Sequence, residues 1–174
     1  MKMLYEGIRG FLVDYLVNSL SYYLNYPFTK PWRINFDITH ECQLRCLMCN
    51  IWKKKVDKKS ELKLSELKKL VDEAKEWGID HISFAGGETL MRKNITIPLI
   101  KYASSKNMRT DLITNGIALD ERTCKKLLES GVSKISLSVD GAKEKTHDLI
   151  RGKGTFRKII KAAKILRKMR RKYN

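Results

Sequence analysis

The chain has 174 residues, 43% hydrophobic and 32% charged, which excludes a disordered segment and gives a single-domain length able to bury roughly 70% of its unfolded surface. Its 36 Lys and Arg against 19 Asp and Glu leave a net charge of +17, which favours an anionic partner: nucleic acid, a membrane surface or an acidic protein. With no run of about 18 uncharged apolar residues, no secretory signal and three of four cysteines within eight residues, a spanning helix and a disulfide-stapled secreted fold are excluded, and a reducing, cytoplasmic setting is expected.

Residues 4–24 read as an N-terminal amphipathic helix. Leu4, Ile8, Phe11, Leu12, Tyr15 and Leu16 recur at helical spacing, with Glu6, Arg9, Asp14 and Asn18 opposite them. Pro27 and Pro31 close this segment, so the chain divides into residues 1–31, helix and linker, and a core of 32–174. The core opens with an alternating strand over 33–39, followed by the cysteine loop. Ser65 can cap a helix facing inward with Leu67, Leu70, Val71 and Ala74, and Gly78 lies just past its end. A second strand over 80–85 runs into Gly86-Gly87-Glu88, and a helix covers 95–105. A third strand over 109–114 leads into Asn115-Gly116, after which Asp120 caps a helix running to Gly131. A fourth strand over 134–139 ends in Asp140-Gly141, and a short helical segment carries His147 and Arg151. The last helix shows Phe156, Ile159, Ile160, Ala163, Leu166 and Met169 on one face.

Four strand–helix units in succession predict an α/β fold with a parallel sheet and right-handed crossovers. Sites in such sheets form at the carboxyl ends of the strands. Each unusual motif falls there, so the four loops are expected to share one site.

Cys42, Cys46 and Cys49 follow the spacing C-x₃-C-x₂-C. Three thiolates suit three irons of a cubane, the fourth being left for an outside ligand; ferredoxin-type clusters take a fourth protein ligand and other spacings. A structural zinc site would also need a fourth ligand, and three independent buried thiols are the remaining alternative. Cys124 reads as a packed helix residue. His81 and His147 are assigned no catalytic role.

The stretch Thr39-His-Glu-Cys-Gln-Leu-Arg-Cys-Leu-Met-Cys-Asn50 resembles the cluster loop of the radical S-adenosylmethionine (SAM) superfamily. Ser138-Val-Asp-Gly141, with His147 and Arg151, resembles the matching stretch of its molybdenum-cofactor and peptide-maturing members. The resemblance implies a partial (β/α) barrel and a [4Fe–4S] cluster on Cys42, Cys46 and Cys49, with SAM chelating the fourth iron. It implies that Gly86, Gly87 and Glu88 bind the SAM amino group, and that Ser138 and Arg151 meet its carboxylate. Asn115 would reach the ribose, or serve only as a turn former. Met48 stands where the family often carries an aromatic residue. An electron from a ferredoxin or flavodoxin would then cleave SAM to a 5′-deoxyadenosyl radical that takes hydrogen from substrate. The family barrel has six such units, so the four here imply a part missing from this chain, a completing chain or a compact variant of the fold, the first two being favoured.

Two other function classes stand beside this one. One is a cluster-binding protein without turnover. The other is a basic protein that binds nucleic acid or membrane and holds zinc. Residues 151–172 carry eleven Lys or Arg and no acid, and Trp52-Lys-Lys-Lys55 adds another cluster. Phe11, Tyr15, Tyr22 and Tyr23 would suit an interfacial helix.

Overall fold

The computed structural model describes residues 2–173, and the side chains of residues 12, 13 and 15–171. The chain divides into two compact units, Met1–Trp32 and Arg33–Asn174.

The first unit is α1 (Lys2–Leu24) and the segment after it. Leu12, Leu16, Leu20 and Leu24 recur every four residues, and Val13 lies on the same arc. All five are solvent-exposed. The expected contributions of Leu4, Glu6, Ile8, Arg9, Phe11 and Asp14 fall outside the described side chains. The helix stops at Asn25, whose φ of 49° is left-handed, ahead of the prolines predicted to stop it.

The second unit alternates strand and helix: β1 (Arg33–Asp37), α2 (Leu64–Glu76), β2 (His81–Ala85), α3 (Lys93–Ser105), β3 (Arg109–Thr114), α4 (Glu121–Glu129), β4 (Lys134–Leu137), α5 (Glu144–Arg151) and α6 (Thr155–Tyr173). The strands form one parallel sheet in the order β1-β2-β3-β4, as the alternation predicts. Alternate strand residues build one packed face. Phe36 pairs with Phe84 and Phe84 with Leu112, and Ile82, Phe84 and Leu112 are fully buried. Against them lie Leu67 and Val71 of α2, Leu99 and Ile100 of α3, Leu127 of α4 and Ala162 of α6. The intervening residues set Asn35, Ser83, Asp111 and Lys134 in a polar row across the opposite face.

Several local expectations shift. β1 ends at Asp37 and β4 at Leu137, two residues short of prediction in each case, although backbone bonds from Ile38 to Ala85 and from Ser138 to Thr114 carry the ladder one step further. Ser65 does not cap α2. Lys63 precedes the helix, and its N–H donates to the Glu66 carboxylate at 2.8 Å, the return half of a capping box. Leu70 lies at the exposed margin of that helix. In α6 the buried side is Ile159, Ala162 and Met169, while Ile160 and Ala163 are exposed. The chain enters α6 through Gly152 and Gly154, both at positive φ, and this sets the helix phase. Asp120 caps α4 as predicted, accepting the Thr123 N–H at 2.6 Å. Cys124 is fully buried in that helix.

Candidate metal centre and cofactor site

The three cysteines lie on the loop that leaves the carboxyl end of β1. Their thiols are free, Cys46 being buried and Cys42 and Cys49 half-buried. The loop turns its backbone N–H groups toward sulfur: Leu44 donates to Cys42 Sγ and Ile51 to Cys49 Sγ, each at 3.4 Å. Such donors stabilise thiolates, the form that ligates metal. Burial pushes the Cys42 and Cys46 thiols up; the Leu44 N–H opposes this at Cys42 and the Arg151 guanidinium at Cys46.

Among the described residues, no three His, Cys, Asp or Glu side chains converge closely enough to hold a single metal ion. Three cysteine thiolates match the three irons that a cubane with one open corner offers to protein, whereas a structural zinc ion takes four protein ligands.

The Gly-Gly-Glu turn after β2 docks on the stem of this loop. Gly87 N–H donates to Thr39 O at 2.7 Å and Glu88 N–H to Glu41 O at 2.8 Å. A Cβ on Gly86 would overlap the Thr39 carbonyl oxygen, and one on Gly87 the carbonyl oxygens of His40 and Glu41. The glycines are thus required by the approach of two protein backbones. Glu88 is 1% exposed and its carboxylate crosses to β3. Oε1 accepts from Thr114 Oγ1 at 2.6 Å and Leu90 N–H at 3.0 Å, and Oε2 from Asn115 N–H at 2.7 Å.

Asn115, at the end of β3, makes the turn allowed for it, its Oδ1 accepting the Ile117 N–H at 3.0 Å. Its side chain also reaches the cysteine loop, with Gln43 Nε2 donating to Oδ1 at 3.3 Å and Nδ2 lying 3.8 Å from Cys42 Sγ. From β4, Ser138 is half-buried and bonds through its backbone to Thr114. Arg151, at the end of α5, pairs through Nε with Asp140. The Asp140 N–H donates in turn to Nδ1 of the buried His147 at 3.3 Å. The same helix end touches the loop directly, since Ile150 O accepts the Leu47 N–H at 2.8 Å.

Sequence reasoning missed Arg92 and Glu61. Arg92 NH1 donates to Ile38 O at 2.8 Å and NH2 to Leu62 O at 3.0 Å, while its Nε pairs with Glu61 at 3.2 Å. Glu61 also accepts from the Thr39 hydroxyl. One guanidinium thereby closes the base of the whole excursion from β1 to α2. Such pairings across distant segments carry no local spacing signal.

Comparison with known proteins bears on the family and the fold. A family model for the radical SAM superfamily matches residues 36–173. Fe-coproporphyrin III synthase of Methanosarcina barkeri is 37% identical over 78% of this chain and 34% of its own length. PqqA peptide cyclase of Granulibacter bethesdensis is 33% identical over 79% of this chain and 37% of its own. Among solved structures, Streptococcus suis SuiB bound to S-adenosylmethionine superposes with a TM-score of 0.68 at 20% identity, over 78% of this chain and 31% of SuiB. Native anSMEcpe with bound AdoMet gives 0.65 at 26% identity, over 78% and 40%. The chain spans about a third of the length of the curated relatives it matches. Since the family match runs from β1 to the end of α6, the chain belongs to the radical SAM superfamily, whose cofactors are a [4Fe–4S] cluster and S-adenosylmethionine.

Proposed function

We propose that this chain is the cluster- and SAM-binding core of a radical SAM enzyme, with Cys42, Cys46 and Cys49 as the cluster ligands. The observation that carries the reading is that the turns after β2 and β3 and the end of α5 all meet the cysteine loop that leaves β1. Gly87 and Glu88 hold its stem, Asn115 its first cysteine and Ile150 its middle. When bound, the cluster and SAM would supply the chemistry, one-electron reductive cleavage of the SAM sulfur–carbon bond with methionine leaving, followed by hydrogen abstraction from substrate; Cys42, Cys46 and Cys49 would hold the cluster.

The protein's part is to bind and orient. A carboxylate has about four lone-pair sites, and Glu88 uses three, leaving one for the ammonium group of SAM. Arg151, held beside Cys46 by Asp140, suits the SAM carboxylate through a charge-assisted contact, and Ser138, just past the end of β4, is the second candidate for it. Gly86 and Gly87 shape the turn on which Glu88 sits. A net charge of +17 complements an acidic one-electron carrier such as a ferredoxin or flavodoxin.

Anaerobic reconstitution with iron and sulfide, reduction by dithionite and assay of 5′-deoxyadenosine test the reading, with Cys46→Ala as control. Product that depends on Cys46 is expected. A wild-type chain that assembles no cluster would overturn it.

A completing chain or segment is the second element of the proposal, and β4 carries it. β4 ends the sheet, and its outer side opens on a groove of about 930 Å³ floored by Leu128, Val132, Ile135 and Leu166 and rimmed by Arg167 and Arg170. A parallel edge of this kind is ordinarily covered.

A further inference from the structure

Every polar contact of Asn115 other than its own turn points toward the cysteine loop or the carboxylate behind it. The residue is 7% exposed and follows directly on Thr114, the end of β3. Its backbone N–H is locked on Glu88 Oε2, which fixes where the side chain starts. The amide is oriented by its partners, because the Ile117 N–H can only donate and must meet the oxygen. Gln43 Nε2 takes the second lone pair of that oxygen. Nδ2 is therefore the end that faces sulfur, 3.8 Å from Cys42. Cys42 Sγ receives this amide as well as the Leu44 N–H, whereas Cys49 Sγ receives the Ile51 N–H alone among the described donors.

Resting on the assignment of the cysteines as cluster ligands, we infer that Asn115 is a positioning residue that holds the Cys42 thiolate and raises the reduction potential of the cluster through its amide N–H. Hydrogen bonds to cluster sulfurs stabilise the more negative, reduced state, so each donor shifts the potential upward. With both lone pairs of Oδ1 used, the side chain keeps a single N–H for any other ligand, which restricts a ribose contact to one donated hydrogen bond.

The test is an EPR-monitored redox titration of the reconstituted full chain without SAM. Asn115→Ser keeps an acceptor for the Ile117 N–H but is too short to reach the sulfur. It is expected to load iron and sulfide as the wild type does and to titrate at a lower potential. Gln43→Leu leaves the amide on the sulfur and is expected to titrate close to the wild type. A purely structural role would change loading or thermal stability and leave the potential of the loaded cluster in place, so an unchanged potential in loaded Asn115→Ser overturns the inference. Should that variant fail to load, Asn115→Thr, neutral like the wild type, keeps an acceptor for the Ile117 N–H while losing the amide donor, and a lowered potential there supports the assignment. Loss of the cluster in both variants overturns it in favour of a role in assembly. Failure of the wild type to form any cluster overturns instead the reading of the cysteines on which it rests.

Discussion

Three residues at the base of the cysteine loop show how position is enforced one side chain at a time. Arg92 makes three charge-assisted contacts, to Ile38 O, Leu62 O and Glu61, with its side chain mostly buried. Removing it leaves Glu61 and two carbonyls without their donor. Arg92→Ala is expected to cost about 2–3 kcal/mol and to lower iron loading, as measured by chemical denaturation and iron analysis. Arg92→Lys should restore the charge but not the fork, and so only part of the loss. Gly87 acts by absence. Gly87→Ala puts a methyl against the carbonyl oxygens of His40 and Glu41, and Gly86→Ala adds left-handed backbone strain, φ being +118° there. That strain alone costs about 1–3 kcal/mol. Both variants should fold less stably and reconstitute less cluster, and the deficit should appear before SAM is added.

Among the elements, α4 gives the cleanest pH dependence. Backbone and side-chain hydrogen bonds from Thr123 hold the Asp120 carboxyl below the usual carboxylate range. Its contribution is therefore present above the ordinary Asp value of about 3.9 and is lost as pH falls through the lower folded value. Asp120→Ala should cost about 1 kcal/mol at neutral pH and flatten the acid limb of stability, read from denaturant midpoints between pH 6 and 3. This cap was legible in the sequence because a cap is local: an acceptor three positions before an N–H. The strands, Cys124 and the three-cysteine loop were legible for the same reason. The phase of α6 was not, because Gly152 and Gly154 turn the chain before the helix begins and Ala162, rather than Ala163, meets the core. Neither was the cap of α2, where the useful acceptor is Glu66 reaching backward rather than Ser65 reaching forward. Within the site, the cysteines declared themselves by spacing. The bonds that place them did not, since Asn115 meets Cys42 and Ile150 meets Leu47 only after four units have closed side by side.

At the scale of the molecule, the sheet is finished on its helical face and unfinished along β4. The apolar floor of the groove there, with exposed backbone beside it, offers a surface on which a second copy can pair. The isolated chain is expected to self-associate with rising concentration in sedimentation velocity. Leu166→Glu, which puts a charge into the groove, should return it to monomer; a wild type that stays monomeric throughout the range would show the edge to be protected. The same build has a temporal side. Leu47 leaves the ribosome well before Ile150, the residue whose carbonyl will hold it. During synthesis the cysteines are thus displayed on an unpinned segment while β2, α3, β3, α4 and β4 are still being made. The loop therefore reaches the geometry seen in the folded chain only after α5 has been made.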